Sequence, residues 1–346
     1  MNNGRFACES CKIIRSSGGA TTIDINDVFR YLERDLCAVE RALASNIKSA
    51  APLIPVVGKH ITMSGGKRIR PALLLLCSDA CGYRGPRRIV MSVVTEYIHT
   101  ATLLHDDVVD MGTVRRGKPS ANMVFGNSVS ILVGDFLFAR ASQLMIDDGD
   151  INVHKIYAKA VVSVTEGEVL QLTKTRDGGI TEKQYFDVIC RKTASLIAAA
   201  SETGAALAGA DQRIRKALSG YGRCVGMAFQ LVDDILDYAG TEKKLGKRPF
   251  QDLREGKITL PLLHALQNVS AVERKRAQKV LAEKERGERD IAFLAGLVDR
   301  NGGKEYTASR ADDFIRRGKR YLLELPASEA RDALAVLSDY MVSRTS

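Results

Sequence analysis

Apolar residues recur every three or four positions along most of this chain, and no strand-like alternation of apolar and polar residues repeats. The chain has 346 residues, of which 45% are hydrophobic and only eight are proline. Long helices can bury a substantial core in a chain of this length, and few prolines interrupt them. The sequence therefore predicts an all-helical fold. Residues 1–22 are expected to form a flexible tail, and residues 23–346 the folded domain.

Three carboxylates close one of the apolar stretches, in the segment Leu104-His105-Asp106-Asp107-Val108-Val109-Asp110. On a helix, Asp106, Asp107 and Asp110 project from neighbouring turns of one face. Three adjacent anions repel one another, so the arrangement is favourable if a cation joins them. Oxygen ligands suit Mg2+, which usually binds one or two carboxylates and completes its coordination with water and substrate phosphates. A solvated acidic face is the simpler alternative.

The spacing Asp-Asp-x-x-Asp occurs a second time, at Asp233, Asp234 and Asp237. This copy also ends an apolar helical stretch, so chance is a poor explanation for the pair. Two such clusters could face each other across a helical bundle and hold several metal ions between them.

Basic residues stand close to glycines and to the acidic clusters. Lys67 and Arg70 follow Ser64-Gly65-Gly66 and precede an apolar helix, whose positive N-terminus suits an anion. An ordinary basic turn is the alternative there. Arg115 and Arg116 follow the first acidic cluster. Acidic clusters that hold Mg2+, combined with cations that neutralise oxygens, describe a site for a phosphorylated ligand.

The sequence offers no activated nucleophile beside this site. No Ser/His/Asp arrangement stands out, and no Walker-type loop is present. A metal-bound diphosphate without a nucleophile favours loss of the diphosphate as a leaving group. An apolar helical cavity would then shelter the resulting carbocation from water.

Together these segments resemble the trans-isoprenyl (polyprenyl) diphosphate synthase family, and most closely its bacterial octaprenyl-type long-chain members. The resemblance runs from about residue 25 to the C-terminus. It rests on both acidic clusters and on four shorter motifs, which are Gly65-Gly66-Lys67-Arg68-Ile69-Arg70-Pro71, Arg115-Arg116-Gly117, Gly134-Asp135 and Lys192-Thr193. It implies a single large helical bundle around a central cavity and a homodimer.

The resemblance also implies an activity. An allylic diphosphate such as farnesyl diphosphate is condensed with successive isopentenyl diphosphates, with Mg2+ as cofactor. The product is a long-chain, octaprenyl-like all-trans polyprenyl diphosphate destined for a quinone side chain.

The family's functional residues carry over to matching positions of this sequence. The implied Mg2+ ligands are Asp106, Asp107, Asp110, Asp233, Asp234 and Asp237. The implied allylic-substrate residues are Arg115, Lys192, Thr193, Gln230 and Lys247. The implied isopentenyl-diphosphate residues are Lys67, Arg70, His99 and Arg116, with Lys257 in the basic lining. Catalysis is expected to depend chiefly on Asp106, Asp107, Asp110, Asp233, Lys192 and Arg115.

Helix geometry suggests how product length is set. A residue five positions before Asp106 lies about 7.5 Å deeper along the helix. Ala101 and Thr102 are small, and Ile98 follows one turn further down, so the channel is expected to be open to a long product. Large residues around Phe136 and Phe138 are a candidate floor.

Charge and cysteine content limit the partners and the compartment. The net charge of +10 is spread along the chain without a basic stripe interleaved with aromatics, which favours anionic small molecules over nucleic acid. Seven scattered cysteines indicate a reducing, cytoplasmic compartment, and the Cys8/Cys11 pair is interpreted as incidental. No stretch is expected to span a membrane, although transient membrane contact would assist product release.

Three other enzyme or protein classes remain as alternatives. A shorter-chain farnesyl or geranylgeranyl diphosphate synthase is disfavoured by the small residues Ala101 and Thr102. A terpene cyclase is disfavoured because it would have no need for a second diphosphate site. A non-catalytic subunit of a heteromeric synthase is disfavoured because both acidic clusters are intact.

Overall fold

The computed structural model describes residues 23–62, 68–115, 117–175, 179–239, 249–283 and 285–343, and these residues are almost entirely helical. The first helices are α1 (Ile25–Asn46), α2 (Leu53–Thr62), α3 (Ile69–Ala80), α4 (Arg87–Val109), α5 (Ala121–Phe125), α6 (Asn127–Asp148), α7 (Ile151–Lys174), α8 (Glu182–Ile189) and α9 (Ser195–Leu207). They are followed by α10 (Gln212–Ala239), α11 (Gln251–Glu255), α12 (Leu260–Asn268), α13 (Ala271–Ala282), α14 (Glu288–Arg300), α15 (Gly303–Leu322) and α16 (Glu329–Val342). The predicted all-helical class is confirmed.

Helix α1 shows how local sequence sets these boundaries. Asp24 caps it by accepting hydrogen bonds from the amides of Asn26 and Asp27, and Asp27 completes the capping box. Its buried residues recur at helical spacing on one face, at Val28, Leu32, Val39 and Leu43. The helix ends at Asn46, before the first of two prolines, Pro52 and Pro55.

The helices enclose two adjoining apolar cores. The larger core is formed mainly by α1, α3, α4, α6, α7, α9 and α16. Helix α3 lies deep within it, since Leu73–Cys77 have no exposed surface. The smaller core is built from α8, the C-terminal half of α10 and helices α12 to α15. Helix α4 belongs to the first core and the end of α10 to the second, so both acidic clusters lie where the cores meet.

One turn departs from regular α-helix. Between α8 and α9 the chain forms a π-helical turn, Cys190–Ala194, which contains Lys192 and Thr193. Turns of this kind insert an extra residue and re-aim side chains, and they are frequent at functional sites. A two-residue hairpin, β1 (Val114–Arg115) with β2 (Lys118–Pro119), follows α4 and pairs Arg115 with Lys118.

Helix α6 is the single described helix long and apolar enough to cross a membrane by length and composition, a test that core helices of soluble proteins also pass. The expectation that no stretch spans a membrane stays a prediction. Val133, Leu137 and Ala141 of α6 are buried in the larger core, which makes it a helix of the bundle.

Several predicted features lie outside the described residues. They are the tail over residues 1–22 with Cys8 and Cys11, and the site candidates Lys67, Arg116 and Lys247.

Candidate active site

A cavity of about 210 Å³ opens between the π-helical turn, the C-terminal end of α10 and the segment that precedes α12. Six of the residues predicted for the site line it, namely Lys192, Thr193, Gln230, Asp233, Asp234 and Lys257. These residues come from distant parts of the sequence, and the fold brings these six together around one space. Asp106, Asp107, Asp110 and Arg115 are not among the residues that line it.

The first acidic cluster is joined to cations on two sides. Arg115 donates from Nε and a terminal nitrogen to Asp107, with distances of 2.6–3.0 Å, and the Asp107 side chain is only 4% exposed. Lys257 donates to Asp110 at 2.8 Å and also pairs with Glu255 at 2.8 Å. Burial alone would lower the pKa of Lys257, but Glu255 and Asp110 outweigh it and raise the pKa. Lys257 therefore carries a full charge beside the cavity.

Asp106 faces the third cation, Lys192. The Lys192 Nζ lies 4.0 Å from an Asp106 oxygen and 2.5 Å from Glu168, and it donates to Gln171 at 2.6 Å. Burial raises the pKa of Asp106 to about 6; Lys192 opposes the rise, whereas Glu168 adds to it. The nearby positive charge of Lys192 therefore does not fully offset the cost of burying the ionised Asp106 carboxylate.

The position of Lys192 depends on a close approach between α7 and the π-helical turn. A Cβ atom at Gly167 would lie 2.5 Å from the backbone nitrogen of Lys192 and 2.8 Å from the Cβ of Arg191. Only glycine allows the two backbones to come this close. The same turn of α7 then supplies Glu168 and Gln171 to the Lys192 ammonium.

In the second acidic cluster, Asp233 and Asp234 have different environments. Asp233 lines the cavity, and within the described part of the chain its carboxylate forms no ion pair or hydrogen bond. Asp234 is buried and accepts hydrogen bonds from the Tyr185 hydroxyl and from Gln230, the latter at 2.8 Å. Burial raises the pKa of Asp234 well above its ordinary value, and Asp252 raises it further.

A chain of hydrogen bonds orients Gln230. The Thr193 hydroxyl donates to the Gln230 carbonyl oxygen at 2.7 Å, and the Gln230 amide nitrogen donates to Asp234 at 2.8 Å. The amide therefore has one orientation that satisfies both neighbours. This links the π-helical turn to the second acidic cluster.

Asp237, the last residue of the second cluster, contacts the backbone beyond it. Its carboxylate accepts from the Asp252 amide at 3.1 Å, and its carbonyl accepts from the Phe250 amide at 2.9 Å. The Asp237 side chain has no exposed surface. Asp237 thereby fastens the start of α11 to the end of α10.

The acidic residues fit a metal ion that is shared with substrate. Among the described residues, no three His, Cys, Asp or Glu side chains are grouped closely enough to hold an ion by themselves. Asp233 nevertheless lines the cavity with a carboxylate that no described residue pairs with, and Asp106 is poorly compensated. Mg2+ commonly takes one or two protein carboxylates and completes its octahedron with phosphate oxygens and water. The carboxylates present therefore suit a Mg2+–diphosphate complex better than a bare ion.

A smaller crevice flanks the other side of the first cluster. It is lined by Asp107, Arg115, His60 and Ser120, among others. Arg70 lies in the first turn of α3 and His99 on α4, seven residues before Asp106; both are half-buried. Arg70 was expected just before α3 and lies in its first turn instead, and the roles of both residues toward isopentenyl diphosphate stay predictions.

The residues predicted to set product length lie below the acidic cluster on α4. Ala101 and Ile98 are buried, and Thr102 is half-buried with its hydroxyl bonded to the His99 carbonyl. Phe138 is not below them: its ring lies 5.9 Å from that of His105, at the level of the acidic cluster. The candidate floor around Phe136 and Phe138 stays a prediction.

Four site residues were missed by the sequence analysis. Glu168 and Gln171 hold Lys192, Tyr185 donates to Asp234, and His60 lines the smaller crevice. Glu168 and Gln171 had one usable signal, since polar residues three apart on an otherwise apolar helix share a face. Tyr185 and His60 had none, because their contacts depend on tertiary packing.

A sequence model described as Polyprenyl synthetase matches residues 52–298 of this chain. The chain is 41% identical to octaprenyl diphosphate synthase of Escherichia coli over 322 residues, which are 93% of this chain and 99% of that protein.

Two solved structures have the same fold as this chain. A polyprenyl synthase from Caulobacter crescentus, solved with calcium and isoprenyl diphosphate, superposes with a TM-score of 0.90 at 38% identity, covering 95% of this chain and all of that one. A decaprenyl diphosphate synthase from Rhodobacter capsulatus has a TM-score of 0.88 at 40% identity, covering 93% and 99%.

Proposed function

The chain belongs to the polyprenyl synthetase family, and we propose that its site joins an allylic diphosphate to successive isopentenyl diphosphates and releases a long all-trans polyprenyl diphosphate. The observation that carries this proposal is that two cations lining one cavity face the first acidic cluster while Asp233 of the second cluster lines the same cavity. Lys192 and Lys257 line that cavity with Asp233, and Arg115 lies on the other side of Asp107. Such a site suits two diphosphates held on either side of the first cluster.

Binding of the allylic substrate would exchange ion-pair partners. Lys192 and Lys257 are now paired with Glu168 and Asp110, and a diphosphate entering the cavity would draw both ammonium groups onto its oxygens. Asp106 and Asp110 then lose neighbouring positive charge. Bound Mg2+, held by Asp106, Asp110 and Asp233 together with the diphosphate oxygens, would replace that charge and stabilise the leaving group.

The reaction follows from these contacts. The bond between the allylic carbon and the diphosphate oxygen breaks, and its electron pair leaves with the diphosphate, which Lys192 and Lys257 neutralise. The double bond of isopentenyl diphosphate supplies the electron pair that forms the new carbon–carbon bond. A proton is then lost from the adjacent carbon to an oxygen of the departed diphosphate, and the double bond is restored. The apolar walls formed by Ile180, Val188 and Ile189 exclude water from the cation.

Product length is proposed to be long because the first channel positions below Asp106 carry small side chains. Replacing Ala101 with Phe should shorten the product, since the ring would occupy the path that the tail takes down α4. Unchanged product length in Ala101→Phe would contradict this part of the proposal. A short-chain synthase, the competing activity, would give farnesyl or geranylgeranyl diphosphate in the same assay.

The decisive experiment is direct. Purified protein is incubated with Mg2+, farnesyl diphosphate and labelled isopentenyl diphosphate, and the labelled products are separated by chain length. We expect a long product of about octaprenyl size. If the purified chain alone gives no labelled product longer than the primer, the proposal fails, and a role as a non-catalytic subunit becomes the better account.

We also propose a homodimer and a cytoplasmic location. Helix α6 leaves Ile131, Leu132 and Ile146 exposed beside Met123 and Val124 of α5, an apolar face that a second copy would cover. The described cysteines Cys37, Cys77, Cys81, Cys190 and Cys224 are free thiols, which suits a reducing compartment. Sedimentation velocity of the purified protein tests the dimer, and Leu132→Glu should shift it toward monomer.

A further inference from the structure

Arg68, the residue before α3, has an unusual backbone conformation. Its φ is 48° and its ψ is 40°, in the left-handed region that residues other than glycine rarely occupy. Among the described residues with a side chain, only Met111 and Phe250 also have a positive φ, and both lie beside an acidic cluster. Such conformations gather at functional sites and persist where surrounding contacts hold them. The contacts of Arg68 therefore indicate its role.

The Arg68 side chain joins the start of α3 to two other helices. One terminal nitrogen donates to Glu96 of α4 at 2.7 Å, while Nε and the other terminal nitrogen donate to Glu40 of α1 at 2.5 and 3.2 Å. The side chains of Arg68 and Glu96 are only 14% and 7% exposed. Burial alone would lower the pKa of Arg68, but Glu40 and Glu96 outweigh it and raise the pKa. The guanidinium group is therefore bound by protein carboxylates and is not offered to a substrate.

A second buried arginine joins the same three helices away from the site. Arg88 of α4 donates to Asp79, near the end of α3, at 2.6 Å, and to Asp35 of α1 at 2.8 Å. Its backbone is ordinary α-helix. The packing of α1, α3 and α4 thus has an ion-pair network of its own at the far end of α3. The unusual backbone of Arg68 at the near end calls for a further reason.

That reason lies in the neighbours of the Arg68–Glu96 ion pair. Arg70 follows Arg68 by two residues and lies in the first turn of α3. His99 follows Glu96 by three residues on α4, so their side chains are neighbours on the helix surface. The ion pair therefore fixes the segment that carries Arg70 against the turn of α4 that carries His99.

We propose that Arg68 is a positioning residue for isopentenyl diphosphate. By binding Glu96 and Glu40 together, it sets the spacing between Arg70 and His99 to fit the diphosphate of that substrate. This inference rests on the proposed synthase function and adds a residue that acts without touching the substrate. The planar fork of arginine suits the task, because one group reaches two carboxylates in fixed directions.

The test varies each substrate separately in steady-state kinetics with Mg2+, farnesyl diphosphate and labelled isopentenyl diphosphate. Arg68→Lys keeps the charge, but a single ammonium group cannot reproduce the fork. KM for isopentenyl diphosphate should rise about tenfold, which corresponds to the loss of about one hydrogen bond to the diphosphate. The kcat and the KM for farnesyl diphosphate should stay within about twofold of the wild type, since only binding of the second substrate is affected.

Substitution of the two carboxylates should grade the effect. Glu96→Gln removes the buried partner and should raise KM for isopentenyl diphosphate about as much as Arg68→Lys does. Glu40 is 51% exposed, so Glu40→Gln should raise the same KM less and has little effect on folding. This variant keeps the proposal testable if the substitutions at the buried positions prevent folding. A KM that is unchanged in folded Glu40→Gln and in every other folded variant of the series would overturn the proposal.

Arg88→Lys is the matched control, since Arg88 joins the same helices with a similarly buried fork. It should lower the melting temperature about as much as Arg68→Lys does and leave both KM values unchanged. An equal rise of both KM values in Arg68→Lys would indicate a merely structural role and overturn the positioning. The same result would follow if Arg88→Lys raised KM for isopentenyl diphosphate as much as Arg68→Lys. A wild-type protein that makes no product contradicts the synthase function itself.

Discussion

Lys257 lies 2.8 Å from Asp110, although 147 residues separate them along the chain. The contact joins the end of α4, in the larger core, to the segment that leads into α12, in the smaller core. Lys257 also lines the cavity with Asp233. The Lys257 ammonium group therefore pairs with the first acidic cluster and shares the cavity with Asp233 of the second cluster, where the two cores meet.

Replacing Lys257 with Met removes this charge and keeps most of the side-chain volume. Removing a positioned group that stabilises developing negative charge commonly lowers the rate about a hundredfold, so kcat/KM should fall by about that factor. Steady-state kinetics with labelled isopentenyl diphosphate measure the change. Lys279→Met on the exposed side of α13 is the control and should behave as the wild type. Equal rates for the two variants would contradict a role for Lys257 in binding the diphosphate.

Gly167→Ala tests whether the π-helical turn positions Lys192. The added Cβ would lie 2.5 Å from the Lys192 backbone nitrogen, so the turn must move away from α7. A displacement near 1 Å of a catalytic group costs about a hundredfold in rate, and we expect a loss of that order in kcat. Overpacking should also lower the free energy of unfolding by about 1–3 kcal/mol.

Gly296→Ala is the matched control for this substitution. Gly296 lies within α14, where the nearest atom to an added Cβ is the flexible end of Arg300 at 3.2 Å. This variant should keep full activity and gain slightly in stability, because alanine favours helix. If Gly167→Ala were as active as Gly296→Ala, the close approach would have no catalytic consequence.

Much of the fold and the charged residues of the site could be predicted from local sequence. The capping box at Asp24 and the apolar spacing of α1 are set by neighbours within one or two turns. The two Asp-Asp-x-x-Asp segments identified the acidic residues for the same reason, since spacing on a helix fixes which side chains share a face.

What sequence could not predict is how equivalent residues differ once the chain has folded. Asp110 and Asp237 occupy the same place in their repeats, yet Asp110 pairs with Lys257 while Asp237 accepts from the Asp252 amide. The difference arises because the segment around Phe250 and Asp252 folds back against the end of α10, and residue spacing alone does not predict this contact. The π-helical turn was missed for a similar reason, because it depends on the approach of Gly167 from another helix.

Thr193→Val tests the hydrogen-bond chain that orients Gln230. Valine has the shape of threonine without the hydroxyl that donates to the Gln230 carbonyl at 2.7 Å. The amide can then rotate, and Asp234 loses a fixed donor. The loss of about one hydrogen bond in the transition state should lower kcat/KM for the allylic diphosphate about tenfold.

Thr165→Val is the control for the threonine substitution. Its hydroxyl is bonded only to the Val161 carbonyl one turn earlier on α7, on an exposed face. Kinetic constants of this variant should match those of the wild type. A tenfold loss in both variants would point to a general effect of valine in these helices and would contradict a specific role for Thr193.

Asp106→Asn should make the metal-free protein more stable at pH 8 while abolishing turnover. Burial raises the pKa of Asp106 to about 6, so the folded protein takes up this proton more readily than the unfolded chain does. The contribution of Asp106 to stability is therefore greatest at low pH and is lost as the pH rises through 6. A rise in the pKa of Asp106 from 3.8 to about 6 corresponds to about 3 kcal/mol at pH 8. Thermal unfolding in EDTA at pH 8 and pH 4 measures it.

The pH dependence of stability distinguishes the cost of the ionised Asp106 carboxylate from an ordinary packing change. The asparagine variant should unfold several degrees above the wild type at pH 8, and the difference should disappear near pH 4, where the wild-type carboxyl is already neutral. Asp147→Asn, at an exposed position near the end of α6, should change neither curve. Adding Mg2+ with diphosphate should stabilise the wild type more than Asp106→Asn, because the ionised carboxylate then gains a cation. A variant that is less stable than the wild type at both pH values would show that Asp106 is adequately compensated by Lys192 alone.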